Sequence, residues 1–204
     1  MDLYELHPIT PQKRFITKAA EALEAGELVI FPTDTYYGIG CSIYAKGALE
    51  KLWLVKNESR DKLFSFIVPD LKEISTYARV SDYAYKNMKK LLPGPYTFIL
   101  PAAREVPKRL WSKRKTVGIR VPDHAIVIEL ARELGHPIVS TSTSNRKGEI
   151  LSKPEEIEAV LGFAVDVMLS AGYVANKPSS VIDLSGDEPI IVRRGAGDVS
   201  IFEE

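Results

Sequence analysis

Cysteine is almost absent from this chain. Cys41 stands alone, so neither an internal disulfide nor a Cys-cluster metal site can form. A lone thiol suits a reducing compartment, and the expected location is the cytoplasm. Histidine is nearly as scarce: His7, His124 and His136 lie far apart, which fits surface or capping roles better than metal ligation. Excess charge of either sign is missing, because 27 Lys and Arg are matched by 27 Asp and Glu. Nucleic-acid binding through overall charge is therefore not expected, although a local basic patch could still supply it. Long apolar runs are missing too. Stretches such as LVIF and FAV fall far short of the roughly 20 residues that span a bilayer, and the start MDLYELHP lacks the pattern of a signal peptide. No membrane partner is expected. HExxH, CxxC, GxSxG, P-loop and GxGxxG patterns are absent, and no carboxylate pair stands out as an acid/base couple. An enzyme built on this chain would work by positioning and charge stabilisation rather than through a side-chain nucleophile.

What is present is the composition of a soluble globular protein, 45% hydrophobic and 26% charged over 204 residues. No repeat, low-complexity tract or linker interrupts it, so one domain over residues 1–204 is expected. Thr10-Pro11 reads as a helix start, followed by Phe15, Ile16, Ala19, Ala20 and Leu23 on one face and a stop at Gly26. Leu28–Phe31 reads as a buried strand, and Lys46–Lys56 as a helix with Leu49, Leu52 and Trp53 inward. Strand-like runs recur at Phe64–Val68, Tyr96–Leu100, Val117–Val121, Ile138–Ser140, Val165–Leu169, Ser180–Asp183 and Ile190–Val192. Helices fall between them at Leu71–Ala78, Ser81–Leu91, His124–Leu134 (with Asp123 as its cap) and Pro154–Val160. This alternation predicts an α/β protein on one twisted, mixed sheet.

Hydroxyls and cations gather after the strands, where open α/β sheets collect ligands. Phe31–Gly40 carries Thr33 and Thr35 at a strand end, readable as a capped turn or as a ligand loop. Ser140–Ser144 puts five hydroxyls in a row before Asn145, either a solvated loop or a set of donors for a polar ligand. Lys108, Arg109, Lys113, Arg114, Lys115 and Arg120 occupy an acid-free stretch with Trp111 inside it. That stretch is either a solvated rim or a phosphate-facing patch with a ring for stacking. Arg120 alternates with Ile119 and Val121 and so is expected to point into a groove. Arg193-Arg194 closes the last strand, and arginine suits bidentate recognition of carboxylate or phosphate.

FPTDTYYGIGC, PGPYTFIL, VGIRVPDH, IVSTS, SSVIDL and VRRGAG occur in the order and spacing of the YrdC-like family, whose best-known members are threonylcarbamoyl-AMP synthases. The resemblance spans nearly the whole chain. KEIS, REVPKRL, KRKTVGIRVP and AGYVANKPSSVIDL look most like the YciO branch. The resemblance implies a YrdC-like twisted, mostly mixed open sheet with flanking helices around a concave basic groove. It also implies the synthase reaction. L-threonine, bicarbonate and ATP become threonylcarbamoyl-adenylate and pyrophosphate, for tRNA modification. Magnesium would come with ATP, held mostly by the phosphates and not by a dedicated protein site.

Residue by residue, the resemblance places Thr35, Arg120, Ser140 and Ser179 (or its neighbour Ser180) at the threonine site. It places Thr116, Ser142 and Arg193 against the nucleotide, and Lys56 in the family's K-x-R motif. Two departures stand out. The arginine position of K-x-R holds Glu58, with Arg60 and Lys62 beyond it as replacement cations. The asparagine position of S-x-N holds Ser144, with Asn145 one residue late. These changes leave two expectations: a synthase using Arg60 and Asn145 instead, or a paralogue that binds nucleotide, tRNA or double-stranded RNA without making the adenylate. The second could also act hydrolytically on threonylcarbamoyl groups.

Overall fold

The computed structural model describes residues 1–57, 64–175 and 177–203. Among these residues the strands are β1 (Asp2–Glu5), β2 (Val29–Phe31), β3 (Gly38–Ser42), β4 (Ser65–Ile67), β5 (Tyr96–Pro101), β6 (Thr116–Arg120), β7 (Ile138–Ser142), β8 (Val167–Ser170), β9 (Ser180–Asp183) and β10 (Ile190–Arg193). The helices are α1 (Lys13–Glu24), α2 (Lys46–Val55), α3 (Leu71–Tyr77), α4 (Asp82–Leu91), α5 (Ala125–Leu134) and α6 (Pro154–Leu161). The strands form one open sheet in the order β1-β8-β2-β3-β7-β4-β6-β5-β9-β10. Parallel pairs (β1/β8, β2/β8, β4/β6, β5/β9) mix with antiparallel ones (β2/β3, β3/β7, β4/β7, β5/β6, β9/β10). The mixed sheet with flanking helices is the expected architecture.

Partners in register point to the same side of a sheet, so each face can be traced strand by strand. On one face, Ile39, Cys41, Phe66, Phe98, Ile119, Val139 and Ile182 meet the inner stripes of α2, α3, α4 and α6. On the other, Val29, Phe31, Ile67, Ile138, Val167 and Leu169 are covered by α1 and α5. The α1 stripe of Ile16, Ala19, Ala20 and Leu23 has the i, i+3, i+4, i+7 spacing its sequence promised. This second layer of helices stops at Ile67 and Ile138. Beyond them the same face carries Ser65, Thr97, Thr116, Gly118, Arg120, Ser140 and Val181, and among the described residues no helix lies above it. An uncovered trough therefore runs over β7, β4, β6, β5 and β9, and it lines the cavities described below.

Several local expectations are corrected. Helix α1 starts at Lys13 rather than Pro11, because the Thr10 amide already donates to His7 Nδ1 at 3.1 Å in the turn before it. Asp123 does not cap α5. His124 holds that place, and the Asp123 amide donates 3.1 Å away to Asp34 Oδ2. The eighth strand begins at Val167 instead of Val165. Strands β1 and β3 were not anticipated. GIGCS reads as loop, yet it lies between β2 and β7, where the Phe31 ring fills the place of a side chain on Gly38: a Cβ there would sit 2.7 Å from Phe31 Cε2. The hydroxyl run is not a loop at first either, since β7 extends through Ser142. Thr143 is fully buried, its hydroxyl 3.1 Å from the Tyr37 carbonyl and 2.9 Å from that of Leu151.

Candidate functional site

A cavity of about 240 Å³ opens in the trough where β6, β7 and the ends of β9 and β10 converge. Its wall is mostly hydroxyl and guanidinium: Thr33, Ser140, Ser142, Ser179, Arg120 and Arg193, with Phe64, Ile67 and Val181 as apolar relief. Arg120 is 6% exposed. Its Nη2 donates to Asp34 Oδ1 at 2.9 Å and to Thr35 Oγ1 at 3.1 Å, while Nε is buried with no partner. Burial pushes the guanidinium below its ordinary pKa, Asp34 draws it back, and the like charge of Arg193 adds to the lowering. Arg193 is held from the opposite wall. Its Nε donates to the Ser179 carbonyl at 2.9 Å and its Nη2 to Ser179 Oγ at 3.0 Å, and that hydroxyl lies 2.9 Å from Thr97 Oγ1.

A second cavity of about 350 Å³ adjoins the first and shares Phe64, Ser65, Thr97 and Val181 with it. Gly118 keeps its floor low: a Cβ there would already be in van der Waals contact with Thr97 Cγ2 at 3.4 Å. At its far end Thr116 and Ser112 hydroxyls lie 2.7 Å apart, and Arg114 Nη1 donates to Asp183 Oδ2 at 2.9 Å. Burial alone would raise Asp183, but the Ser185 hydroxyl and amide and then Arg114 outweigh it, so the carboxyl is held below its usual range. Between them the two cavities offer a small polar chamber with two cations and a longer, more apolar annex.

Of the residues singled out in the sequence, Arg120, Ser140, Ser142, Ser179 and Arg193 come together on the first cavity, and Thr116 lines the second. Thr35 does not reach the wall. It is wholly buried behind Arg120, and Thr33 lines the cavity instead. Ser179 and Ser180 separate cleanly, because the Ser180 hydroxyl turns away to the Gly197 carbonyl and the Gly195 amide. Lys56, at the end of α2, donates to the Ser142 carbonyl at 2.8 Å and to Ser144 Oγ, touching the rim of the cavity through β7. Arg60, Lys62 and Glu58 lie outside the described residues. Asn145 is engaged in its own turn. Its Nδ2 donates to Glu149 Oε2 at 2.6 Å, and its Oδ1 accepts the Lys147 and Glu149 amides at 2.9 and 3.1 Å. Asn145→Ala should cost about 1 kcal/mol of stability and leave ligand binding within about twofold of the parent, read by thermal melting and calorimetry.

The basic stretch is not one patch. Arg109 donates weakly to the Ile43 and Tyr44 carbonyls at 3.4 and 3.5 Å, Arg114 pairs with Asp183, and Arg120 is buried. Trp111 is no free stacking ring, since it packs on the core and its indole N–H donates to the Val106 carbonyl at 3.0 Å. Sequence reasoning named Thr33 only as part of a possible ligand loop and passed over Tyr36, Ser65 and Thr97. A signal existed for two of the missed three: Ser65 and Thr97 are lone hydroxyls inside the strands FSFIV and YTFIL, on the alternate positions that the core does not use. Among the described residues, no group of three or more His, Cys, Asp or Glu stands close enough to hold a metal ion. No helix among them is long and apolar enough to cross a membrane.

Residues 21–195 match the Sua5/YciO/YrdC family, described as "Telomere recombination". The chain belongs to this family. Among its relatives, Escherichia coli YciO is 42% identical over 201 residues, covering 98% of each chain. A threonylcarbamoyl-AMP synthase of Vibrio vulnificus is 29% identical over 186 residues, covering 88% of this chain and 98% of the synthase. The crystal structure of E. coli YciO superposes with a TM-score of 0.94 over 99% of this chain and all (100%) of that one. The crystal structure of P. abyssi Sua5 complexed with L-threonine superposes at 0.87 with 23% identity. There the likeness is one of fold, over 96% of this chain and 58% of the Sua5 chain.

Proposed function

We propose that the chain binds L-threonine in the Arg120 cavity and the nucleotide of ATP along the adjoining annex, the substrate pair of threonylcarbamoyl-adenylate chemistry. The observation that carries this reading is the pair of guanidiniums, Arg120 and Arg193, fixed on opposite sides of one hydroxyl-lined cavity of about 240 Å³. A chamber of that size suits an amino acid, and two immobilised cations suit its carboxylate and a neighbouring phosphate. That a Sua5 of the same fold was crystallised with L-threonine, and that a relative is a threonylcarbamoyl-AMP synthase, supports the assignment.

In that chemistry the threonine amine adds to bicarbonate to give a carbamate with loss of water. A carbamate oxygen then attacks the α-phosphate and displaces pyrophosphate. The residues here would act by placement: Arg120 on the amino-acid carboxylate, Arg193 and the Lys56 ammonium towards phosphate oxygens, and the hydroxyls of Ser140, Ser142 and Ser179 on the polar groups between them. Magnesium would enter with ATP and temper the phosphate charge. Among the described residues the nearby carboxylates Asp34 and Asp183 are not offered to it, since Asp34 is taken by Arg120 and Asp183 by Arg114 and Ser185.

One observation favours a paralogue in which synthesis is weak. Lys56 is tied to Ser144 and to the Ser142 carbonyl, and Asn145 is engaged in its own turn, which holds its amide away from the S-x-N position. Glu58 at the arginine position of K-x-R would act in the same direction by repelling phosphate. In this reading the chain binds nucleotide, tRNA or double-stranded RNA without forming the adenylate. The deciding experiment is calorimetric titration with L-threonine and then with ATP, magnesium and bicarbonate, assaying pyrophosphate in the same mixtures. Binding of both ligands with pyrophosphate near the level of an inactive control is expected, and Glu58→Arg combined with Ser144→Asn should raise it. No binding of L-threonine at any concentration tested would end the proposal. Rapid pyrophosphate release by the parent would restore the full synthase.

A further inference from the structure

The proposed ligand contacts leave one charged group near the cavity without a task. Asp34 is absent from the cavity wall, yet its carboxylate is engaged at both oxygens. Oδ1 accepts from Arg120 Nη2 at 2.9 Å, and Oδ2 accepts from the Asp123 amide at 3.1 Å. Both donors belong to one segment, the end of β6 and the turn that follows it. Asp34 therefore ties the β2–β3 connection to the stretch that carries Arg120. The ion pair is well enclosed, with side chains 7% and 10% exposed.

The consequence for Arg120 can be followed nitrogen by nitrogen. Nη2 spends its hydrogens on Asp34 and Thr35, and two bonds on one planar nitrogen fix the plane of the whole guanidinium. Nε is shut in the interior with no acceptor. Nη1 alone remains to be offered to the cavity that Arg120 lines. The positive charge of Arg120 is also largely compensated by Asp34, so what it brings to a ligand is a direction more than a field. A compensated, aimed donor discriminates by geometry, whereas an uncompensated one attracts any anion.

We propose that Asp34 is a positioning residue that aims Arg120 Nη1 at one oxygen of the substrate carboxylate, and that this aim makes the cavity select a ligand bearing a carboxylate over the same ligand without one. The choice of ligand rests on the threonine reading above, but the positioning role does not. Thr35 serves as the second guide, and it acts through Arg120 in the same way.

Asp34→Glu tests this, because it keeps the charge and displaces the carboxylate by one methylene. Affinity for L-threonine should fall about tenfold or more, the worth of one charge-assisted hydrogen bond, while affinity for L-threoninol, which lacks the carboxylate, stays within about twofold. A purely structural role would lower both alike. The second readout needs no ligand: in nitrogen-15 spectra the Arg120 Nη protons should show restricted rotation in the parent and averaging in the variant. If Asp34→Glu disturbs folding, Asp34→Asn serves the same purpose. It preserves length, but its amide can satisfy only one of the two donors with its oxygen. Unchanged L-threonine affinity, an equal loss for L-threoninol, or Arg120 signals alike in parent and variant would overturn the proposal. Should the parent bind no L-threonine, the threonine reading fails, and the Arg120 signals still decide the role of Asp34.

Discussion

Arg120→Met should lose L-threonine affinity by about a hundredfold and cost about 3–5 kcal/mol of stability, the largest double effect in the molecule. The binding loss follows from removing the buried cation that faces the cavity. The stability loss has a different origin. Methionine fills much of the volume, but it leaves the Asp34 carboxylate, only 10% exposed in the parent, beside an apolar chain with one amide as its remaining partner. Desolvation that the guanidinium had offset is then uncompensated. Adding Asp34→Leu to Arg120→Met should return most of the stability and none of the binding, because a charge pair replaced as a pair leaves no orphan. Thermal melts of the three proteins, with calorimetry on each, check the argument. Equal melting of parent and Arg120→Met would refute it.

Gly195→Ala should be nearly as damaging, for reasons of space. A Cβ at this position would lie 2.3 Å from the Pro178 carbonyl oxygen, 2.4 Å from Ser179 C and 2.5 Å from its oxygen. All three atoms are backbone, so no rotamer change can relieve the contact. The strain should cost about 3 kcal/mol, or roughly 6–12 °C in melting temperature for a chain of this length. The functional part of the effect is specific. Ser179 presents both its carbonyl and its hydroxyl to Arg193, so displacing residues 178 and 179 releases the second guanidinium of the cavity. Binding of ATP should therefore weaken about tenfold in the fraction that remains folded. Gly186→Ala is the control, since a Cβ there meets nothing within 4 Å. If Gly195→Ala melts with the control, the close approach of the two loops is not a constraint.

Much of the architecture was legible because it rests on local patterns. Apolar spacing marked α1 and α5, and compact β-branched runs such as FSFIV and YTFIL marked β4 and β5. Strand β3 escaped because glycine at positions 38 and 40 carries no strand signal. Those positions are glycine for a non-local reason, the Phe31 ring above Gly38 and the Val139 carbonyl 2.7 Å from where a Gly40 Cβ would be. Trp111 misled in the same way. Its neighbours are cations, but its environment is set by the chain it folds onto.

The sequence by itself determined the order of the helices and of every strand but β1 and β3, the membership of the family through segments such as FPTDTYYGIGC and SSVIDL, and the kinds of side chain available to the site. The tertiary structure alone decided which of two neighbours does the work: Thr33 and not Thr35 at the wall, Ser179 and not Ser180 against Arg193, Asp34 behind Arg120. For Ser179 and Ser180 the physical reason is the alternation at the start of β9, where successive side chains point to opposite faces. Thr33 and Thr35 lie two apart in the turn between β2 and β3, where the Thr33 hydroxyl accepts the Thr35 and Tyr36 amides and the turn's own hydrogen bonds set their directions. Helices α1 and α5 end their cover at Ile67 and Ile138, and the polar trough begins where that cover stops.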